Sequence, residues 1–188
     1  MQFLLCLATA TLVSADAFSM RVFAPDTAFD AAVLHATENR IVTGLEAPST
    51  YCPLKPESSC PNVTGTLVTR NMEAMAVEVP GGQQIYVQAD GQVKYSIPHS
   101  SYIPLGSITG GWFHKSLVSE CLAPASRDVV DFFDGNGHGG VVLCPSEWST
   151  DSLTLYAKTA DFAESDCHEI GGLILAQSIS KIGCWEYL

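Results

Sequence analysis

The chain has 188 residues, a length that suits one domain with a complete hydrophobic core. Its 20 acidic against 9 basic side chains give a formal net charge of −11. That balance repels phosphate backbones and anionic lipid surfaces, so it excludes nucleic-acid binding and disfavours a membrane-surface role. The first segment, 1–15, is an apolar leader: residues 3–13 carry no charge, and Val13-Ser14-Ala15 offers the small side chains a signal peptidase accepts. It is too short to span a bilayer as a helix of about 20 residues, and no later stretch is long enough, so no membrane insertion is expected. The expectation is a signal peptide over 1–15 and a single all-β extracellular domain over 16–188.

After the leader, short runs with β-branched or aromatic residues follow at 18–24, 31–37 and 40–44, then 67–70 and 75–79. Pro80-Gly81-Gly82 breaks the chain. Residues 84–88 and 92–97 flank Asp90-Gly91, which predicts a tight hairpin with positive φ at both central positions. Ile85 and Val87 fall on one face, and Val93, Tyr95 and Ile97 on the matching face of the partner strand. Further strands are predicted at 111–114, 129–133, 141–144, 153–158, 172–176 and 182–187. Residues 160–164 make at most one helical turn. About twelve short strands and no long amphipathic helix predict a compact β-trefoil-like unit, with a β-sandwich as the alternative.

The seven cysteines divide unequally. Cys6 leaves with the leader, and Cys52, Cys60, Cys121, Cys144, Cys167 and Cys184 remain. An even count in an oxidising compartment predicts full pairing, each bridge contributing roughly 2–4 kcal/mol. Six cysteines allow fifteen connectivities. Local spacing favours Cys52 with Cys60 around Pro53 and Pro56, and Cys144 with Cys167. Cys121 and Cys184 are then left to anchor the C-terminal tail. Asn62-Val63-Thr64 is an N-glycosylation sequon beside Cys60-Pro61, which makes Asn62 the expected glycan acceptor.

No constellation carries a catalytic signature. Asp134-Gly135-Asn136-Gly137-His138-Gly139-Gly140 is similar to the stretch around the catalytic histidine of subtilisin-like proteases, but no nucleophile segment accompanies it. As a calcium loop it fails, because Pro145 stands where a bidentate acid is needed; a tight turn is the simpler reading. Asp128, Asp131 and Asp134 are spaced by three, so on a strand Asp128 and Asp134 share a face and Asp131 opposes them, which is not a ready-made glycosidase pair. Asp161, Glu164, Asp166 and Glu169 read as solvated loop charge. His35, His99, His114, His138 and His168 lack metal-ligand spacing, so neither a catalytic nor a metal residue is assigned and no cofactor is expected. Among the rings that could stack under sugars, Tyr51, Tyr86, Tyr95, Tyr102, Trp112, Trp148 and Trp185, most are expected to pack in the core. Tyr102 and Trp185, near loops or the chain end, are the expected contacts for a glycan or partner.

The block 80–87, continuing through Asp90-Gly91 to Tyr95-Ser96-Ile97-Pro98-His99-Ser100 and Ile103-Pro104-Leu105-Gly106-Ser107, resembles the secreted fungal IgE-binding proteins related to the phialide cell-wall protein PhiA. Tyr51-Cys52-Pro53, Cys60, Trp112-Phe113, Cys144-Pro145, Trp148, Cys167 and the early Val33-Leu34-His35 extend the likeness. The resemblance implies a non-enzymatic protein of the fungal wall or extracellular space, in a group that includes allergens, elicitors and host-directed effectors linked to virulence. Its partners would be cell-wall polysaccharide or a host extracellular protein. Two features depart from the pattern: the stretch 114–127 with Cys121, which looks inserted, and the tail with Cys184. A carbohydrate-binding module is the alternative reading and a small glycoside hydrolase the third. An exposed aromatic pair in a shallow groove would favour the module; two carboxylates meeting in a cleft would favour the hydrolase.

Overall fold

The computed structural model describes residues 16–62, 65–118, 126–146 and 151–188. The leader, Val63, Thr64, Cys121 and Trp148 lie outside the described residues. Fourteen strands are present among those described: β1 (Ala17–Phe23), β2 (His35–Thr37), β3 (Arg40–Val42), β4 (Thr50–Tyr51), β5 (Leu67–Thr69), β6 (Ile85–Val87), β7 (Val93–Tyr95), β8 (Trp112–Val118), β9 (Ser126–Phe132), β10 (Val141–Pro145), β11 (Leu153–Ala157), β12 (His168–Glu169), β13 (Gly172–Gln177) and β14 (Glu186–Tyr187). The helical content described is one 3-10 turn, Glu57–Ser59.

The strands pair antiparallel in two main sheets. One runs β5-β1-β13-β9-β8; the other runs β12-β10-β11-β3-β7-β6, with β2 folded back onto β3. A small ribbon pairs β4 with β14. Period-two alternation sets what each strand buries. In β1, Met20 and Val22 are fully buried while Arg21 between them is exposed. One apolar core takes Met20, Val22, Val130, Phe132 and Leu173 from the first sheet and Ile41, Ile85, Val87, Tyr95, Leu143 and Leu155 from the second. Strand β10 is buried on both faces: Val141 and Leu143 enter this core, whereas Val142 and Cys144 join Tyr156 in a smaller cluster.

Several expectations need correction. The two-residue strands β4 and β12 are too short to leave a periodic signature. Residues 75–79 are not a strand. Met75 N–H donates to Gln83 O at 2.9 Å, Ala76 N–H to Leu67 O at 2.8 Å and Val79 N–H to Trp185 O at 2.9 Å, so the segment serves three neighbours and builds no ladder. At 160–164 only a turn bond forms, from Phe162 N–H to Thr159 O. The 85–95 hairpin is present in the expected faces, with Ile85 opposite Tyr95 and Val87 opposite Val93. Its turn differs: Gln88 N–H donates to Gln92 O at 2.9 Å, and only Gly91 has positive φ. That is the longer hairpin loop with a left-handed glycine at its end. Gly91 is needed twice over, since a Cβ there would stand 2.4 Å from Ala157 O. The stretch 114–127 supplies most of β8 and the start of β9.

Disulfides join Cys52 to Cys60 and Cys144 to Cys167. Of the third expected pair, Cys121 lies outside the described residues, and Cys184 is a free thiol, 1% exposed. The C-terminal tail is held by buried hydrogen bonds. Gln83, 1% exposed, accepts from Tyr187 N–H at 2.8 Å and donates to Tyr187 O at 2.9 Å and Ser96 O at 3.1 Å. The Tyr187 hydroxyl donates to Gly65 O and accepts from Leu67 N–H, and the Tyr95 hydroxyl donates to Leu188 O. Every amide group of Gln83 that faces the interior is matched, which a buried polar side chain requires.

Candidate functional site

Strands β8 and β9 form a seven-residue ribbon at the edge of the first sheet, in register from Trp112 opposite Phe132 to Val118 opposite Ser126. Neighbouring residues on a strand point to opposite faces. Trp112-Phe113 and Phe132-Phe133 are aromatic doublets at this end of the ribbon, and each sends one ring inward and one outward. Trp112 meets Phe132 edge-on with centroids 5.3 Å apart, and Phe132 is 1% exposed. Phe113 is 42% exposed and Phe133 47% exposed. With Gly111, Asp131, Gly139 and Gly140 these rings line an open cleft of about 570 Å³.

Glycine lets the walls of the cleft meet. Gly111 has φ +85°, and a Cβ on it would lie 2.5 Å from Phe133 O and 2.9 Å from the Phe132 ring. At Gly139 a Cβ would lie 2.6 Å from Phe132 O. Phe133 N–H donates to Gly111 O at 2.9 Å, and Gly140 N–H to Phe132 O at 2.8 Å. Asp131 adds the carboxylate: one oxygen accepts from Phe132 N–H at 2.9 Å, and the other is paired with Lys115. The cleft therefore presents apolar ring faces beside a charge-neutralised acceptor.

The glycine-rich stretch 134–140 is the turn that closes this wall. Asp134 Oδ1 accepts from Asn136 N–H at 2.6 Å and His138 N–H at 3.1 Å, while Oδ2 lies 2.9 Å from His138 Nδ1. Desolvation opposes ionisation of Asp134, but these donors together outweigh it and hold the carboxyl below its ordinary value. His138 is thus a turn clasp.

The carboxylates spaced by three have separate partners. Asp128 lies 2.9 Å from His114 Nδ1 and 3.9 Å from Arg70, and His114 Nε2 lies 3.1 Å from Arg70 O. Asp131 holds Lys115, and Asp134 holds its own turn. Asp161, Glu164, Asp166 and Glu169 are all exposed, with Glu169 paired to Lys158. Among the described residues no three His, Cys, Asp or Glu side chains are grouped as a metal site. His35 is buried, with Nδ1 unpartnered, and burial lowers its pKa. His168 packs on the Phe29 ring, and His99 has φ +60° in a polar cleft with Gly81, Gly82 and Ser100.

Tyr102 is 72% exposed on the β7–β8 loop and does not line the aromatic cleft. Trp185 is half-buried in a different cleft, where the structure gathers Tyr51, Cys52, Cys60, Asn62 and Cys184 around it. The outward rings Phe113 and Phe133 were missed because phenylalanine counts as core by default. The legible signal was the pairing of aromatic residues at adjacent positions on a strand, which no single core face can absorb.

No family model matches the chain, and no solved structure matches it. The chain is 34% identical over 99 residues to an uncharacterized secreted protein of Arthroderma benhamiae, a match covering 53% of this chain and 47% of that protein. It thus spans about half the length of the curated relative it matches. The likeness is to a secreted fungal protein, and an IgE-binding or phialide relation does not emerge from it. Two disulfides and this relative agree on an oxidising compartment: the protein is extracellular.

Proposed function

We propose that this is a non-enzymatic extracellular fungal protein, of the kind that the IgE-binding and PhiA-like resemblance implies, which binds a neutral cell-wall polysaccharide in the cleft of Trp112, Phe113 and Phe133. The observation that carries this is the outward pair Phe113, on β8, and Phe133, just past the end of β9, both partly solvent-exposed in a cleft walled by bare glycine backbone. Sugar rings have apolar faces that stack on such aromatics, and exposed apolar patches of this kind mark binding surfaces. Asp131, neutralised by Lys115, supplies a hydroxyl acceptor without a free charge. The net charge of −11 disfavours anionic polymers. The separate ionic partners of Asp128, Asp131 and Asp134 support a binding role over hydrolysis, which needs two carboxylates across one bond. A two-sheet reading of the fold is supported by the one core that both sheets share.

The test is co-sedimentation of the disulfide-intact protein with chitin, fungal β-glucan and plant wall, with released reducing sugar assayed in the same tubes. Depletion onto one polymer without sugar release is expected. Sugar release overturns the non-enzymatic reading. Failure to sediment with any of the three overturns the polysaccharide reading and directs the search to soluble host proteins.

A further inference from the structure

The sequon and the predicted aromatic contact, read separately from the sequence, converge in space. Asn62 is exposed on the rim of a cleft of about 390 Å³ whose walls include Trp185, Tyr51 and Glu57. Tyr51 is 51% exposed and Trp185 is half-buried. The Cys52–Cys60 disulfide and the 3-10 turn Glu57–Ser59 fix one wall, and pairing of β4 with β14 fixes the other, with Tyr51 opposite Glu186. The geometry points to a covalent occupant for this cleft: an N-glycan on Asn62 whose first N-acetylglucosamine units lie against Trp185 and Tyr51.

The chemistry of attachment follows from the extracellular route and is independent of the β8–β9 cleft. In the secretory pathway, the Asn62 amide nitrogen attacks the anomeric carbon of an oligosaccharide carried on a polyprenyl pyrophosphate. The new C–N bond forms as the C–O bond to pyrophosphate breaks; the amide loses one proton and the lipid pyrophosphate departs. The transferase requires only Asn-x-Thr in an accessible chain. Once the protein folds, a sugar on Asn62 meets two aromatic side chains that would otherwise hold apolar surface in water. Glu57, among the lining residues, offers a carboxylate acceptor for the sugar's acetamido N–H, and the apolar ring face suits the indole. Asn62 is itself exposed, so the rest of the glycan has solvent to extend into.

The experiment uses the full chain secreted from a eukaryotic host. Intact mass before and after peptide-N-glycosidase, with recovery of aspartate at position 62, reports attachment. Melting temperatures are then compared for the glycosylated protein and Thr64→Ala, which keeps Asn62 but removes the sequon. The same pair is measured in a Trp185→Ala background, so that any effect of Thr64→Ala itself cancels. Glycosylation is expected to raise Tm by roughly 2–4 °C with Trp185 present and to lose that increment without it. If Trp185→Ala is not secreted, Tyr51→Ser, at a half-exposed position, takes its place and is expected to reduce the increment. An unmodified Asn62, or equal increments in both backgrounds, overturns the proposal.

Discussion

Cys184 shows how one residue's surroundings override its chemistry. It sits 1% exposed in the main core, where burial pushes its thiol up to about 12. A thiol at that value carries almost no thiolate at neutral pH and is chemically quiet. A maleimide or equivalent probe should therefore leave Cys184 unlabelled in the native protein and label it after denaturation without reductant; protection that persists in denaturant would show that it is bridged after all. His35 is the second such case. Burial lowers its pKa from 6.5, so on acidification the unfolded chain takes up a proton that the folded chain resists. Its contribution is intact above about 6.5 and declines as pH falls below that value. Asp134, held below its ordinary 3.8, keeps its stabilising contribution above that value and loses it only as pH falls below it. Unfolding free energy should thus fall from pH 7 to pH 5, and His35→Gln should flatten that slope. An unchanged slope would assign the loss to other groups.

The β8–β9 ribbon is the element on which binding depends, and its two requirements can be separated. Phe113→Ala and Phe133→Ala remove exposed rings, so each should cost less than about 0.5 kcal/mol of stability. Each should weaken polysaccharide binding roughly fivefold, the equivalent of about 1 kcal/mol of lost stacking. Binding isotherms on the polymer that sediments the wild type, alongside thermal melts, measure both. Gly111→Ala should do the reverse of a clean binding lesion. Its Cβ would meet Phe133 O at 2.5 Å from a left-handed backbone, which must relax at a cost of roughly 1–3 kcal/mol. A melt of this variant that matches the wild type would mean that the cleft walls are not held as described.

For the whole molecule, the decisive contact is the buried clasp between Gln83 and the C-terminal strand. Gln83→Ala strands the Tyr187 N–H and carbonyl and the Ser96 carbonyl in the interior. Buried groups left without partners cost about 1–3 kcal/mol each, partly recovered by relaxation. A loss of roughly 3 kcal/mol, or about 6–12 °C in Tm for a protein of this size, is expected. Calorimetry decides it; a loss under about 1 kcal/mol would show that water replaces the amide. This clasp anchors the C-terminal tail with hydrogen bonds that leave no mark in residue spacing.

The sequence by itself determined the features that are local. Alternation of apolar residues located most strands and the correct faces of the Ile85–Val87 and Val93–Tyr95 hairpin, because the period of a strand is a property of its own backbone. Short separations determined the Cys52–Cys60 and Cys144–Cys167 bridges. Only the tertiary structure decided what depends on distant partners. It turned 75–79 into a segment shared among three neighbours, buried Cys184 as a thiol, and set Trp185 beside Asn62, about a hundred and twenty positions away in the chain. It also decided which ring of each aromatic doublet faces water. Alternation says that Phe113 and Trp112 part company, but which of them goes inward depends on the side from which the other sheet packs.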